Sequence, residues 1–229
     1  MAKEKTAIKG LVLGIAAFFL VSALAGGGLY FWKKSMRAAS TPPKDYNPEI
    51  VVNEDAARKL EQKVTTELKK LSAGEDKTFR FNLTEEEVSA QLFQMLSSGL
   101  SQQGQDEQAR TSLRVKNVQS HLADGKATVV VVVDAEIPGV PRELYLQVAA
   151  EAWLEDGQLA FDASNISVGQ TSLPEVVLNQ IRGQLEARVS QPGRQPQKGR
   201  GYFFPLDPTW HVDKLEIGNG SIVLEGHKS

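Results

Sequence analysis

Residues 127–137 read ATVVVVVDAEI and form the strongest strand pattern in the chain. Valine is β-branched and packs well on a pleated sheet, so this run predicts a strand. Side chains alternate between the two faces of a strand, and the unbroken run from Val129 to Val133 therefore places apolar groups on both faces. We expect both faces of this strand to be covered.

Three further strand patterns flank this run, and they span residues 112–122, 142–154 and 158–168. The connections contain pairs that are typical of tight turns: Asp124-Gly125, Pro138-Gly139 and Asp156-Gly157. Short connections force neighbouring strands to run antiparallel, so the four segments predict an antiparallel meander. The strands are long, which indicates a curled sheet that wraps around its packing partners.

Helical patterns precede the meander. Asn53 is a capping residue for a helix that runs to residue 71. Residues 79–83 alternate apolar and polar side chains, as a half-buried strand does. Thr84 and Glu87 have the spacing of a capping box, which opens a second helix. Residues 97–111 are rich in Ser, Gln and Gly and predict a loop.

A third helix is predicted from Pro174, with Ile181 and Leu185 on its apolar side. Residues 209–217 and 221–226 predict a closing hairpin. The order helix, strand, helix, four strands, helix and hairpin defines an α+β fold. We expect a curled antiparallel sheet packed on or around about three helices.

The run from Leu11 to Trp32 contains no charged residue, and Lys33, Lys34 and Arg37 follow it. About 20 apolar residues span the roughly 30 Å hydrocarbon core of a bilayer as a helix. The run therefore predicts a single-pass transmembrane helix that contacts the membrane bilayer. The predicted organisation is a tail and anchor over residues 1–37, a Pro-rich spacer over 38–52 and one domain over 53–229.

A short tail before an apolar run favours a signal-anchor, which places the domain on the outer side of the cell membrane. The alternative is cleavage, since Ala23 and Ala25 have the spacing of a signal-peptidase site, and it gives a secreted form. The run ends in Tyr30-Phe31-Trp32, an aromatic end typical of a membrane interface, and this end favours the anchor.

Composition excludes several functions. The chain contains no cysteine, which removes disulfides, thiol catalysis and cysteine metal sites. Residues 38–229 carry 20 Lys or Arg and 27 Asp or Glu, a net charge of −7. Because phosphate binding needs a basic surface, this charge argues against nucleic acid as a partner.

No combination of residues indicates an enzyme, a metal site or a cofactor. His121, His211 and His227 are separated in sequence without a ligand spacing. Asp134 and Glu136 lie on one face of one predicted strand, where an acidic pair is usually solvated. We therefore expect a protein that performs no covalent chemistry.

The apolar pattern indicates a binding groove instead. Ala150 and Ala152 are small residues on a strand face that otherwise carries Leu and Val, so they leave volume at its surface. The predicted lining residues are Leu92, Val131, Val133, Leu146, Val148, Ala150, Ala152, Ile181 and Leu185. Arg194, Lys198 and Arg200 lie in a flexible loop that would meet a lipid headgroup or a partner. The alternative is that the helices fill this space completely.

Three segments resemble the YpmS-like family of N-terminally anchored bacterial proteins, whose domain has no known function. They are FNLTEEEV at residues 81–88, the stretch NISVGQTSLPEVVLNQI at 165–181, and the terminal hairpin at 212–226. The family often has Asn where this chain has Ser89. The family is similar in layout to tubular lipid-binding (TULIP-like) modules, and the resemblance implies lipid binding outside the cytoplasmic membrane.

Two functions follow from the sequence. The first is a membrane-anchored, extracytoplasmic carrier or scaffold that binds a phospholipid or another lipid in an apolar groove. The alternative is a structural or assembly subunit that binds a membrane protein partner and has a dry core.

Overall fold

The computed structural model describes residues 36–73, 77–103, 112–136, 142–173, 175, 178–179, 202–203 and 209–228. Its helices are α1 Met36–Ala39, α2 Glu54–Ala73 and α3 Glu85–Gln103. Its first five strands are β1 Thr78–Thr84, β2 Ser112–Ala123, β3 Lys126–Glu136, β4 Glu143–Glu155 and β5 Gln158–Val168. They are followed by β6 Thr171–Ser172, β7 Tyr202–Phe203, β8 Trp210–Gly218 and β9 Ser221–Lys228. The predicted α+β class is confirmed.

The strands form two antiparallel sheets. The larger has the order β2-β3-β4-β5-β6, with β7 also paired to β5, and the smaller has the order β1-β9-β8. The prediction of a single curled sheet is therefore wrong. The closing hairpin does not extend the meander, because β9 pairs with β1 from Thr78↔His227 to Thr84↔Ser221. Strands β1, β9 and β8 therefore form a sheet of their own.

The small sheet meets the turn end of the large sheet. The Gly125 amide donates to the Ile217 carbonyl at 2.9 Å, and the Val212 amide donates to the Gly157 carbonyl at 3.1 Å. Gly125 and Gly157 belong to two of the three predicted turns of the meander, and both have positive φ, which glycine adopts without strain. Strand β8 consequently lies beside both turns.

The predicted caps are confirmed. Asn53 Oδ1 accepts the Asp55 amide at 3.0 Å at the start of α2. At the start of α3, the Thr84 amide donates to Glu87 Oε2 at 3.0 Å and the Glu87 amide donates to Thr84 Oγ1 at 3.3 Å. Helix α3 continues to Gln103, so the predicted start of a loop at residue 97 is wrong.

The predicted helix from Leu11 to Trp32 falls outside the described residues. Of the helix predicted from Pro174, residues 175 and 178–179 are described and are helical, whereas Ile181 and Leu185 lie outside the described residues. Leu178 is 8% exposed and belongs to the main core. Within the described ranges, no helix is both long enough and apolar enough to cross a membrane.

Different groups of residues pack on the two faces of β3. The prediction that both faces are covered is confirmed. Val129, Val131 and Val133 belong to the main core with residues of α2, α3 and both sheets. Val130 and Val132 point to the other face and cluster with Tyr145 and the partly buried Tyr46. We call these the inner and the outer face of the large sheet.

Residues 38–50, which we call the strap, cover the outer face. Pro42 O accepts Gln170 Nε2 at 3.2 Å, and Asp45 Oδ2 accepts Gln147 Nε2 at 3.0 Å. At the far end, the Asn47 amide donates to Gln119 Oε1 at 3.0 Å. The strap thus runs from the β5–β6 turn across β4 to the edge strand β2. The predicted spacer is packed on the domain and does not stand apart from it.

Candidate functional site

The structure brings together most of the predicted lining residues that it describes. Leu92, Val131, Val133, Leu146 and Val148 are each at most 5% exposed and belong to one continuous apolar core. This burial shows that they pack against other side chains. Ala150 and Ala152 are only partly buried and pack against the same core.

The register between β3 and β4 determines which side chains share the inner face. Val131 pairs with Leu146, Val129 pairs with Val148, and Ala127 pairs with Ala150, so these side chains share one face. Toward the turn end, β3 and β4 carry the small residues Ala127, Ala150 and Ala152, all of them half-buried. The neighbouring strand β5 places Phe161, which is 2% exposed, opposite Ala152. The small side chains on this face therefore belong to β3 and β4.

The described helices pack mainly on the other half of the large sheet. Helix α3 packs along β2, and α2 packs on α3 and on β1. Strands β4 and β5 adjoin β8 at the turn end, and Leu178 from the predicted third helix packs in the same core. Five predicted site residues lie outside the described residues. They are Ile181 and Leu185 of the predicted third helix, and Arg194, Lys198 and Arg200 of the predicted loop.

A charged group, Glu87, borders the core at the start of α3. Glu87 is 5% exposed, forms an ion pair with Lys63 and accepts the Thr84 amide. Its burial is compensated because it is paired and hydrogen-bonded. In the described part of the chain, no group of three or more His, Cys, Asp or Glu side chains is placed to hold a metal ion.

The histidines lie away from the inner face. His121 Nδ1 is 3.1 Å from Glu85 Oε1 beside the edge strand β2. His211 and His227 stack with ring centroids 5.2 Å apart on the small sheet, and His227 Nδ1 is 2.8 Å from Asp213 Oδ2. The inner face itself therefore offers an apolar surface.

A polar network holds the strap on the outer face. The hydrogen bond from Lys116 lowers the pKa of Glu143, and Glu143 Oε2 accepts the Tyr145 hydroxyl at 3.1 Å. Burial, together with that hydrogen bond, raises the pKa of Tyr145 to about 12. The phenol therefore stays a donor at neutral pH, and its ring makes an edge contact with Tyr46 at a centroid distance of 5.2 Å.

Sequence reasoning missed the packing of the strap on the outer face. Its prolines predicted an extended spacer, whereas Tyr46 and the apolar run at residues 50–52 were the signal for packing. Polar residues of β2 complete the missed contact, since Asn117 and Gln119 are 6% and 7% exposed and both bond to the strap.

Comparison with known proteins identifies no relative: no protein-family model matches the sequence, and neither a curated protein nor a solved structure shows significant similarity to the chain. The resemblance to the YpmS-like family stays a prediction.

Proposed function

We propose that this chain is a single-pass, membrane-anchored protein that binds a lipid in an apolar groove on the extracytoplasmic side of the cell membrane. It acts as a carrier or a scaffold and performs no covalent chemistry. The observation that supports the proposal is the alanine end of the inner face, where Ala127, Ala150 and Ala152 lie half-buried beside a large apolar core.

An acyl chain fits the chemistry of this surface. Each buried methylene contributes about 0.8 kcal/mol, so a segment of about ten methylenes gains about 8 kcal/mol before the cost of ordering. Small side chains provide the depth that such a chain needs. In this proposal Ile181 and Leu185 of the predicted third helix close the groove, and Arg194, Lys198 and Arg200 meet the headgroup.

The burial of the other predicted lining residues makes the proposed groove shorter than the sequence predicted. Leu92 and Val133 are fully buried, so the proposed groove is limited to the alanine end and does not extend along the whole sheet. The same burial favours the second candidate, a structural or assembly subunit with a dry core that binds a membrane protein. The two candidates differ in whether a lipid occupies the alanine end.

Photolabelling tests the groove at one residue. We expect Ala152→Trp to reduce labelling of the β4 peptide about tenfold in proteoliposomes whose phospholipid carries a photoactivatable acyl chain, since an indole fills the space of a tail. Labelling of the predicted anchor peptide is the internal standard. Ala149→Trp is the matched control, because it places the same ring on the opposite face of the same strand.

The groove assignment is wrong if folded Ala152→Trp is labelled on β4 as strongly as the wild type. Wild-type chain that is labelled only on the predicted anchor would support the dry-core candidate.

A further inference from the structure

A cleft of about 490 Å³ lies between the end of the strap, the first turn of α3 and the edge strand β2. It lies outside the alanine end, and a role for it holds whether or not that end binds lipid. Its volume falls within the roughly 300–1,000 Å³ of typical ligand sites. Its walls combine carboxylates, apolar groups and one buried hydroxyl that has no hydrogen-bond partner among the described residues.

Four carboxylates line the cleft: Asp45, Glu49, Glu85 and Glu86. No Lys or Arg is among its described lining residues. Two of the acids are held in place, because Glu85 Oε1 accepts the Leu122 amide at 2.6 Å and Glu86 Oε1 accepts Asn53 Nδ2 at 2.7 Å. The cleft therefore presents a preorganised negative charge.

An apolar rim adjoins these acids. Ile50 is 55% exposed and Val51 is 75% exposed, and they are the large apolar residues with the most exposure in the described ranges. The Ile50 carbonyl accepts Asn117 Nδ2 and Gln119 Nε2, both at 2.8 Å. These two hydrogen bonds hold the backbone at Ile50 in place. The side chains of Ile50 and Val51 are therefore kept at the surface by the backbone position.

A buried hydroxyl provides an independent observation. Ser120 is 7% exposed and lines the cleft, and its Oγ has no hydrogen-bond partner among the described residues. The nearby Ser89 hydroxyl has partners of both kinds, because it donates to Glu85 O at 2.6 Å and accepts the Ser120 amide at 2.8 Å. Buried polar atoms are rarely left unpaired, which indicates that a hydrogen-bond partner is missing at this wall.

We propose that this cleft is a docking site for a short cationic segment of a partner protein. An Arg or Lys side chain of the partner enters between Glu49, Glu85 and Glu86, and its apolar neighbour packs on Ile50 and Val51. Charge complementarity favours this occupant, because the carboxylates attract a cation and repel anionic headgroups and nucleic acid. The exposed apolar rim favours a segment that carries an apolar side chain next to the cation. The net charge of −7 over residues 38–229 steers the same class of partner.

Peptide binding to the full chain in phosphatidylcholine nanodiscs tests the proposal. The probe is a labelled hexapeptide in which arginine alternates with leucine, and its anisotropy is measured against empty nanodiscs. We expect saturable binding that weakens with salt, and no binding of the peptide in which glutamate replaces arginine. Glu49→Lys and Val51→Ser should each weaken binding about threefold to tenfold, while Glu61→Lys, an exposed site outside the cleft, leaves it unchanged.

Three results would overturn the proposal. The first is equal binding of the arginine and glutamate peptides, and the second is wild-type affinity in both folded cleft variants. The third is competition by spermidine at the concentration at which the peptide itself competes, which would assign the cleft to a small amine.

Discussion

Gly169→Ala is expected to lower the free energy of unfolding by about 3 kcal/mol and to release the strap from the outer face. Gly169 has φ +59°, and a Cβ at this position would lie 1.7 Å from the Ala38 carbonyl oxygen. That oxygen belongs to the backbone, so the strap must move to admit a methyl group. Its release exposes Val130, Val132 and Tyr145 to water.

Urea unfolding of the full chain in detergent measures the free energy of unfolding. Amide hydrogen exchange in residues 38–50 measures the release of the strap. Gly125→Ala is the matched control, because Gly125 has φ +76° and a Cβ there meets nothing within 4 Å. It should cost only the backbone strain, about 1–2 kcal/mol, and leave exchange in the strap unchanged. Equal losses in the two variants would show that the Ala38 contact does not hold the strap.

Leu92→Ala is expected to lower the free energy of unfolding of the lipid-free chain by about 3–4 kcal/mol. Leu92 is 0% exposed in the main core, so truncation leaves a cavity as well as removing apolar contact area. A leucine that bordered open space would lose only the transfer term, about 2 kcal/mol or less. The size of the loss thus reports whether the groove reaches α3.

Leu92→Met is the volume-conserving control and should cost less than about 1.5 kcal/mol. Both variants are measured by the same urea titration, with the slope checked for a change in the surface exposed on unfolding. A loss near the transfer term alone for Leu92→Ala would extend the groove to α3 and contradict its confinement to the alanine end.

Local patterns predicted the strands well. The meander residues 112–122, 127–137, 142–154 and 158–168 match β2 to β5 to within two residues at each end. The reason is that strong β-branched runs end at Asp-Gly turns, where both the strand period and the turn chemistry are local. The capping box at Thr84 was equally local.

The arrangement of sheets was not predictable from those patterns. The pairing of β1 with β9 joins residues far apart in sequence, and it depends on packing that no local pattern encodes. The strap was missed for a similar reason, since prolines mark extended backbone but do not say what it packs against. Five of the predicted lining residues belong to one buried apolar core, and periodicity alone does not distinguish a groove from a filled core.

The most direct test is native mass spectrometry, with organic extraction, of the full chain purified in detergent from a membrane-containing host. The proposed function predicts one lipid per chain that survives detergent exchange and is lost from Ala152→Trp. A lipid-free mass that stays lipid-free after phospholipid is added would contradict it and leave the dry-core assembly subunit.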